Sequence, residues 1–461
     1  MSLLADHPVD FEPSLVADRT YESRRRRTRV DVVMVLTLTI CLLFILPGAL
    51  IVPNLTFAGR PGLLVALLLC AWWLISRLHP RLVMTGPQPI RWVAFAYLTA
   101  TLVSYIAGLV RGLPPVEAKA QNFALLELFE FFGIMLMMAD GIPNWERLKG
   151  VLRVFVWCSG FMAVTGLAQA ILKIDIAHYL TVPGLEFHGG LVGFENRGAG
   201  GQFRVAGTAQ HYIEFSAVMA MAAPYAIHLA RFTANRRQRR WFAVIAVLIA
   251  AAVPISISRT GIAAIGIMLL VVLPTWRWRL RYNIIALGVI MSGALMVVRP
   301  GLLGTLRGMF FNSGEDPSIQ GRTQDYASVS LFFHERPWLG RGPRTLVPED
   351  YGGLVLDNQW LYSLVTVGVL GVAVLMLLHI VCVSLAAIAY KRATRDEDRH
   401  LCAVLISTQL IAAFAGATFD SMYYTTFTST LALMAGACGA VWRFTHPART
   451  VRTSTVKRFA D

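Results

Sequence analysis

Charge is the scarce ingredient of this chain. Only 15% of its 461 residues are Asp, Glu, Lys or Arg, while 56% are hydrophobic. A soluble protein of that length needs more charge to cover its surface, so the soluble globular class is excluded. Cysteine is also sparse. The six cysteines (Cys41, Cys70, Cys158, Cys382, Cys402 and Cys438) all fall in or at the ends of apolar runs, and none forms a CxxC pair. That excludes a disulfide framework and a cysteine zinc site, and leaves them as small core residues. There is no internal repeat and no low-complexity segment. The N-terminus does not read as a signal peptide, because roughly thirty polar residues precede the first apolar run.

What the chain has in abundance is apolar runs close to the length that crosses a hydrocarbon core. About twelve such runs lie near 31–52, 62–77, 91–110, 121–139, 151–172, 212–230, 242–257, 260–275, 283–298, 359–388, 401–417 and 424–442, which predicts an all-α polytopic membrane protein. The net charge of +15 would suit nucleic acid. Its distribution suits membrane topology better, because the basic residues cluster in short loops such as RFTANRRQRRW and YKRATRDEDRH. With the N-terminus in the cytoplasm, these loops fall inside and the two long loops fall outside. The chain then divides into a tail over 1–30, five spans over 31–172, an outer loop over 173–211, four spans over 212–298, a large outer loop over 299–357, three spans over 358–443 and a basic cytoplasmic tail over 444–461. The seventh and eighth runs are separated only by SISRTG, and the charge pattern favours two spans there. Loops carry function more often than spans, so the working face is expected outside.

Four outer stretches hold candidate chemistry. In FRVAGTAQH, Arg204 and His211 lead into the sixth span; Arg204 either anchors a helix end at lipid headgroups or belongs to a site. In SISRTG, Arg259 sits beside the hydroxyls of Ser256, Ser258 and Thr260. A guanidinium at a membrane boundary is costly without a partner or an anion, and its planar fork suits phosphate. The loop before Asp357 interleaves aromatics and glycines with Arg322, His334, Arg336, Arg341 and Arg344, a composition that suits an anionic or sugar-bearing ligand. Asp357 itself opens DNQWLYSLVTVGVLG, either as the cap of a helix or as a general base. Within the fourth span, Glu127 and Glu130 lie three apart and share a helix face. They read as a proton site or, preferably, as counter-charges for Arg259 or Arg204. No Asp-x-Asp pair in the outer loops suggests a metal site.

The order of these pieces resembles the bacterial O-antigen ligase and O-antigen polymerase family of membrane glycosyltransferases. R-x-x-G-T is present as Arg204, Gly207 and Thr208, and S-x-S-R-[GT] as Ser256, Ser258 and Arg259. G-R-x-x-x-[WY] followed by P-x-x-G-x-G appears as Gly321, Arg322, Tyr326, Pro337, Gly340 and Gly342. The last motif, H-N-x-x-L before G-x-x-G, appears as Asn358, Leu361, Gly368 and Gly371, with Asp357 where the family usually has histidine. The resemblance covers roughly residues 200–440.

It implies a GT-C-like fold with no cofactor, in the bacterial cytoplasmic membrane with both termini inside. It implies a donor glycan on a polyprenyl diphosphate, and a glycan or lipid acceptor met on the outer face, among membrane lipids and without nucleic acid. Asp357, Arg259 and Arg204 are the expected catalytic residues, with no metal. Arg322, Asn358, Ser258, His211, Arg341, Glu127 and Glu130 are the expected substrate-binding residues. Asp357 in place of histidine favours a cell-envelope polysaccharide other than lipopolysaccharide O-antigen. The rival class is a proton-coupled transporter or flippase for a lipid-linked or anionic solute, with Glu127 and Glu130 carrying the protons.

Overall fold

A computed structural model describes residues 31–78, 87–188, 195–197, 202–298, 301, 326, 328–348 and 354–447. The elements are helical almost throughout. They are α1 (Val32–Ile45), α2 (Pro61–Leu78), α3 (Pro89–Arg111), α4 (Pro115–Gly141), α5 (Trp145–Leu172), α6 (Tyr212–Phe232), α7 (Arg236–Ile255), α8 (Arg259–Val272) and α9 (Trp278–Val298). After residues 328–335, which are helical, come α10 (Gln359–Thr366), α11 (Gly368–Arg392), α12 (Asp396–Gly416) and α13 (Thr425–Phe444). Among the described residues, eight helices (α2 to α7, α11 and α12) are long and apolar enough to cross a membrane. The protein is an all-α polytopic membrane protein.

Sequence composition sorts the helices by depth. In α6, Ala, Met and Ser surround the axis on all sides, and the helix sits almost wholly inside the bundle, as an all-round apolar helix must. Every residue of α13 is buried. By contrast α2 turns Leu68, Leu74 and Ile75 outward, a face that lipid rather than water can cover. Helix starts are marked by short polar caps. Asp31 accepts from the Met34 amide at 3.1 Å, Asn144 from Arg147 at 3.0 Å and Asn235 from Arg237 at 2.9 Å, each satisfying an orphan donor of a first turn.

Two expected spans are corrected. The run 31–52 is helical only to Ile45. Pro47 follows, a residue that cannot donate to a helix, and Leu50–Ile51 then pairs antiparallel with Glu186–Phe187 in a two-stranded sheet. A second small sheet pairs Glu195–Arg197 with Gln202–Arg204. The run 359–388 is two helices, broken at Val367. Its break is stabilised by segment 337–342, which enters the bundle and replaces the lost helical bonds. The amides of Arg341 and Gly342 donate to the carbonyls of Val365 and Thr366 at 3.0 and 2.9 Å. The amides of Val369 and Leu370 donate to the carbonyls of Pro337 and Trp338 at 2.8 and 3.3 Å. The backbones approach so closely that a Cβ on Gly340 would strike Thr366, and one on Gly368 would strike Trp338. Both glycines are also left-handed, with φ of 68° and 75°, which other residues adopt only at a cost. A broken helix within a membrane protein is tolerated where protein re-satisfies the freed groups, as here.

Candidate active site

The broken helix places Asp357. Asn358 caps α10, its side chain accepting from the amides of Trp360 and Leu361 at 3.0 and 3.2 Å. The cap is therefore Asn358 and not Asp357. Asn358 also donates to the Ala417 carbonyl at 3.3 Å, the Gln359 amide donates to Phe419 at 3.1 Å, and the Gln359 side chain accepts from the Met422 amide at 2.8 Å. These bonds tie the start of α10 to the short loop between α12 and α13.

That loop carries Asp420, and Asp420 senses Asp357. Burial, and then the negative charge of Asp357, raise the Asp420 carboxyl to about 7. Two carboxylates that feel one another resist double ionisation, so the pair tends to hold one proton near neutrality. Burial and Asp420 also push the neighbouring Tyr424 phenol upward. Sequence reasoning did not single out Asp420. The signal present was a lone acid in the short loop TFDSMYY, which only the folded contact with α10 makes meaningful.

The arginines approach from α6 and α8. His400, near the start of α12, contacts His228 near the end of α6 and Trp276 just beyond α8. Hence α12 runs antiparallel to both, and its far end, with Asp420, lies at the ends of α6 and α8 that carry His211 and Arg259. Tyr424 stacks on His211, with ring centroids 5.5 Å apart. Burial lowers His211 to about 4, so it is neutral at pH 7. His211 in turn packs on Tyr212 at 4.2 Å. Arg204 is buried over the Tyr212 ring at 4.2 Å and also donates to its hydroxyl. The R-x-x-G-T segment is clamped from α5: the Gln169 side chain accepts from the Gly207 amide at 2.8 Å and donates to its carbonyl at 3.0 Å, while Thr208 donates to Phe44 at 2.6 Å.

The turn that presents Arg259 is strained. Between α7 and α8 the chain reverses through Ser256, Ile257 and Ser258, and the β-branched Ile257 stands at a φ of 52°, a region such residues avoid. Ser256 donates to the Val253 carbonyl at 2.6 Å. The Ser258 hydroxyl is buried and meets no hydrogen-bond partner among the described residues. Arg259 is half-buried at the first position of α8.

The remaining expected residues divide. Glu127 is not a counter-charge for Arg259 or Arg204. It pairs with Arg344, at 2.8 Å to Nε and 2.9 Å to Nη2. Arg344 also donates to the Tyr423 carbonyl at 3.0 Å and lies over the Tyr423 and Phe123 rings at 4.1 and 4.9 Å. This set of contacts holds Arg344 at a left-handed φ of 59°. Glu130 accepts from the Ser429 hydroxyl at 2.5 Å, again not from either expected arginine. The two carboxylates point at partners from different segments, for which their shared helix face was no guide. Arg341 pairs with Glu335 and covers the Phe332 ring at 5.0 Å. Arg322 lies outside the described residues. Arg60, also not anticipated, is buried at the start of α2 and donates to the Thr425 hydroxyl beside Tyr424. Among the described residues no group of three His, Cys, Asp or Glu is placed to hold a metal ion.

A multi-pass helical bundle whose acids and arginines gather where a broken helix meets a short interhelical loop defines a membrane protein with a polar site at one end. Residues 244–376 match the family model described as O-antigen ligase, and that match supports the O-antigen ligase family, in agreement with the order of motifs along the chain. The matched segment runs from within α7 into α11 and includes Arg259, Asp357 and Asn358; Arg204 and His211 lie before it. No curated protein matches the chain.

Proposed function

We propose that this protein transfers a glycan from a polyprenyl-diphosphate-linked donor to an acceptor hydroxyl at the outer face of the bacterial cytoplasmic membrane. The observation that carries the reading is the docking of the start of α10, which follows Asp357, on the loop that carries Asp420, at the same end of the bundle as Arg259 and His211, with Asp357 and Arg259 inside the segment that matches the O-antigen ligase model. In the reaction the acceptor oxygen forms a bond to the anomeric carbon as the bond from that carbon to the diphosphate oxygen breaks. The acceptor proton passes to Asp357, and the electron pair leaves on the diphosphate. Proton removal by a placed carboxylate is typically worth about 10²–10⁴ in rate.

Arg259 and Arg204 meet the departing charge, and preorganised guanidinium groups in a site of low dielectric need no metal to do so. The buried, unpartnered Ser258 hydroxyl adds a donor beside Arg259. Asp420, whose carboxyl is raised to about 7 by burial and by Asp357, sets no second negative charge against the diphosphate while it holds its proton.

The test uses purified protein in lipid with a polyprenyl diphosphate oligosaccharide, with and without a chelator, following released polyprenyl diphosphate and glycan size. Release that survives the chelator and disappears in Arg259→Ala is the expected result, and a ladder of products would identify a polymerase. Movement of the intact lipid-linked glycan across the bilayer, with no release, would replace the transferase with a flippase.

A further inference from the structure

Next to the acid pair lies a cavity of about 80 Å³ between α3, α4 and α10, with room for on the order of five waters. Its lining is polar at several points. Gln359, two residues from Asp357, lies on it, as do Tyr362, Tyr97, Thr101 and the Glu127–Arg344 ion pair. The Met422–Tyr423 edge of the Asp420 loop closes another side.

Much of this lining is already bonded. Glu127 and the Tyr423 carbonyl engage the Nε and Nη2 of Arg344, and Gln359 is held by Ser363 at 2.8 Å and by the Met422 amide. Arg344 and the Tyr362 phenol also line the cavity and lie close enough to interact electrostatically with each other. A guanidinium and a phenol, beside tyrosine rings, an amide and a carboxylate, form a mixed donor and acceptor set on an aromatic wall. That chemistry matches the hydroxyl edge of a sugar ring, which offers both donors and acceptors above an apolar face. It does not match a phosphate, because Glu127 stands against Arg344.

We infer that this cavity is the acceptor pocket: it takes the terminal pyranose of the acceptor glycan, edge first, and presents its hydroxyl to Asp357. The inference rests on the transferase reading and divides the site in two. The sugar acceptor enters on the α3, α4 and α10 side, and the donor diphosphate meets Arg204 and Arg259 on the α6 and α8 side.

The test needs no donor. The full chain in lipid nanodiscs is mixed with methyl α- and β-D-hexopyranosides, and binding is read by saturation-transfer difference NMR. At least one probe is expected to show saturation of its ring protons. Thr101→Leu and Ala124→Leu fill the cavity without touching the ion pair and are expected to remove that signal, with thermal unfolding confirming the fold. Tyr362→Phe, which removes one hydroxyl and no volume, is expected to weaken binding about three- to ten-fold. No saturation of any probe in the unaltered protein, or equal saturation in both filled variants, overturns the pocket. A protein that binds these sugars but never releases polyprenyl diphosphate would instead overturn the transferase reading, so the two failures are distinguishable.

Discussion

The two ends of this bundle are both charged, and they are built on opposite plans. At one end Asp140, on the last turn of α4, accepts from Trp73 at 3.0 Å and from Arg91 at 2.9 and 3.1 Å, and also pairs with Arg77. Arg443 donates to the Asp140 carbonyl at 2.8 Å and to that of Ile142. One carboxylate here gathers arginines from α2 and α3 while a third from α13 ties down the backbone, and the result is a staple. At the other end, two acids that disfavour each other's charge stand together, Ile257 and Arg344 hold left-handed backbones, and Ser258 buries an unused hydroxyl. Opposed like charges and stored strain oppose stability and persist where they serve chemistry. The number of buried charges therefore does not distinguish the two ends; the number left in tension does.

The largest effect should come from the tense end. Asp357→Asn is expected to lower the transfer rate by about 10²–10⁴, and Arg259→Ala by about 10²–10³, each with thermal stability close to that of the parent. Donor release measured on protein whose folding is verified by thermal unfolding checks both. An active Asp357→Asn enzyme would remove Asp357 from the role of base.

The stapled end should show the reverse. Asp140→Asn leaves the half-buried Arg77 and Arg91 without their anion, a loss expected to cost about 1.5–3 kcal/mol, the range for hydrogen bonds to a charged group. Turnover per folded molecule is expected to be unchanged, so unfolding curves and active-site-normalised rates should separate the two ends cleanly. A rate loss as large as the stability loss would erase the distinction.

The contrast was only partly legible in the sequence. Helices followed from apolar run length. The run read as 62–77 is Pro61–Leu78, and that read as 424–442 is Thr425–Phe444, because a span is set by local composition. The division at SISRTG was read from the basic loops that flank it, since run length alone left one broken segment open. The break in 359–388 was not, since a glycine inside an apolar run is tolerated by a helix, and it becomes a break only when segment 337–342 docks against it. Within the site, Asp357 and Arg259 stood out as charges at the mouths of apolar runs. The partner of Glu127 did not, because Arg344 is 217 residues away and nothing local to Glu127 tells one arginine from another. Asp420 acquires its meaning from the meeting of α10 with the α12–α13 loop.

A smaller effect should appear in the pH profile. With the Asp420 carboxyl at about 7, raising the pH through that value removes its proton and sets a second negative charge beside Asp357 and the leaving diphosphate. The rate is therefore expected to fall as pH rises through about 7. Asp420→Asn, a permanent neutral mimic of the protonated acid, should abolish this alkaline limb. The same raised carboxyl makes the native state bind more protons than the unfolded chain, so its contribution to stability is lost as pH rises from about 4 toward 7. That trend should also vanish in the variant. A limb that persists in Asp420→Asn belongs to another group.

The smallest expected effect separates two neighbours. Asn358 accepts from two amides of the first turn of α10, and a cap of this kind replaced by alanine typically costs about 1 kcal/mol. Serine caps almost as well as asparagine, so Asn358→Ser should recover most of that stability and retain transfer activity, whereas Asn358→Ala should lose stability. A thermal unfolding series across the two variants, with acceptor KM measured alongside, checks the assignment. If Asn358→Ser unfolds like the parent yet loses its hold on the acceptor, Asn358 touches the sugar as well as the helix. The tense end of the bundle would then extend one residue beyond Asp357, because the capping amide would be shared between structure and substrate.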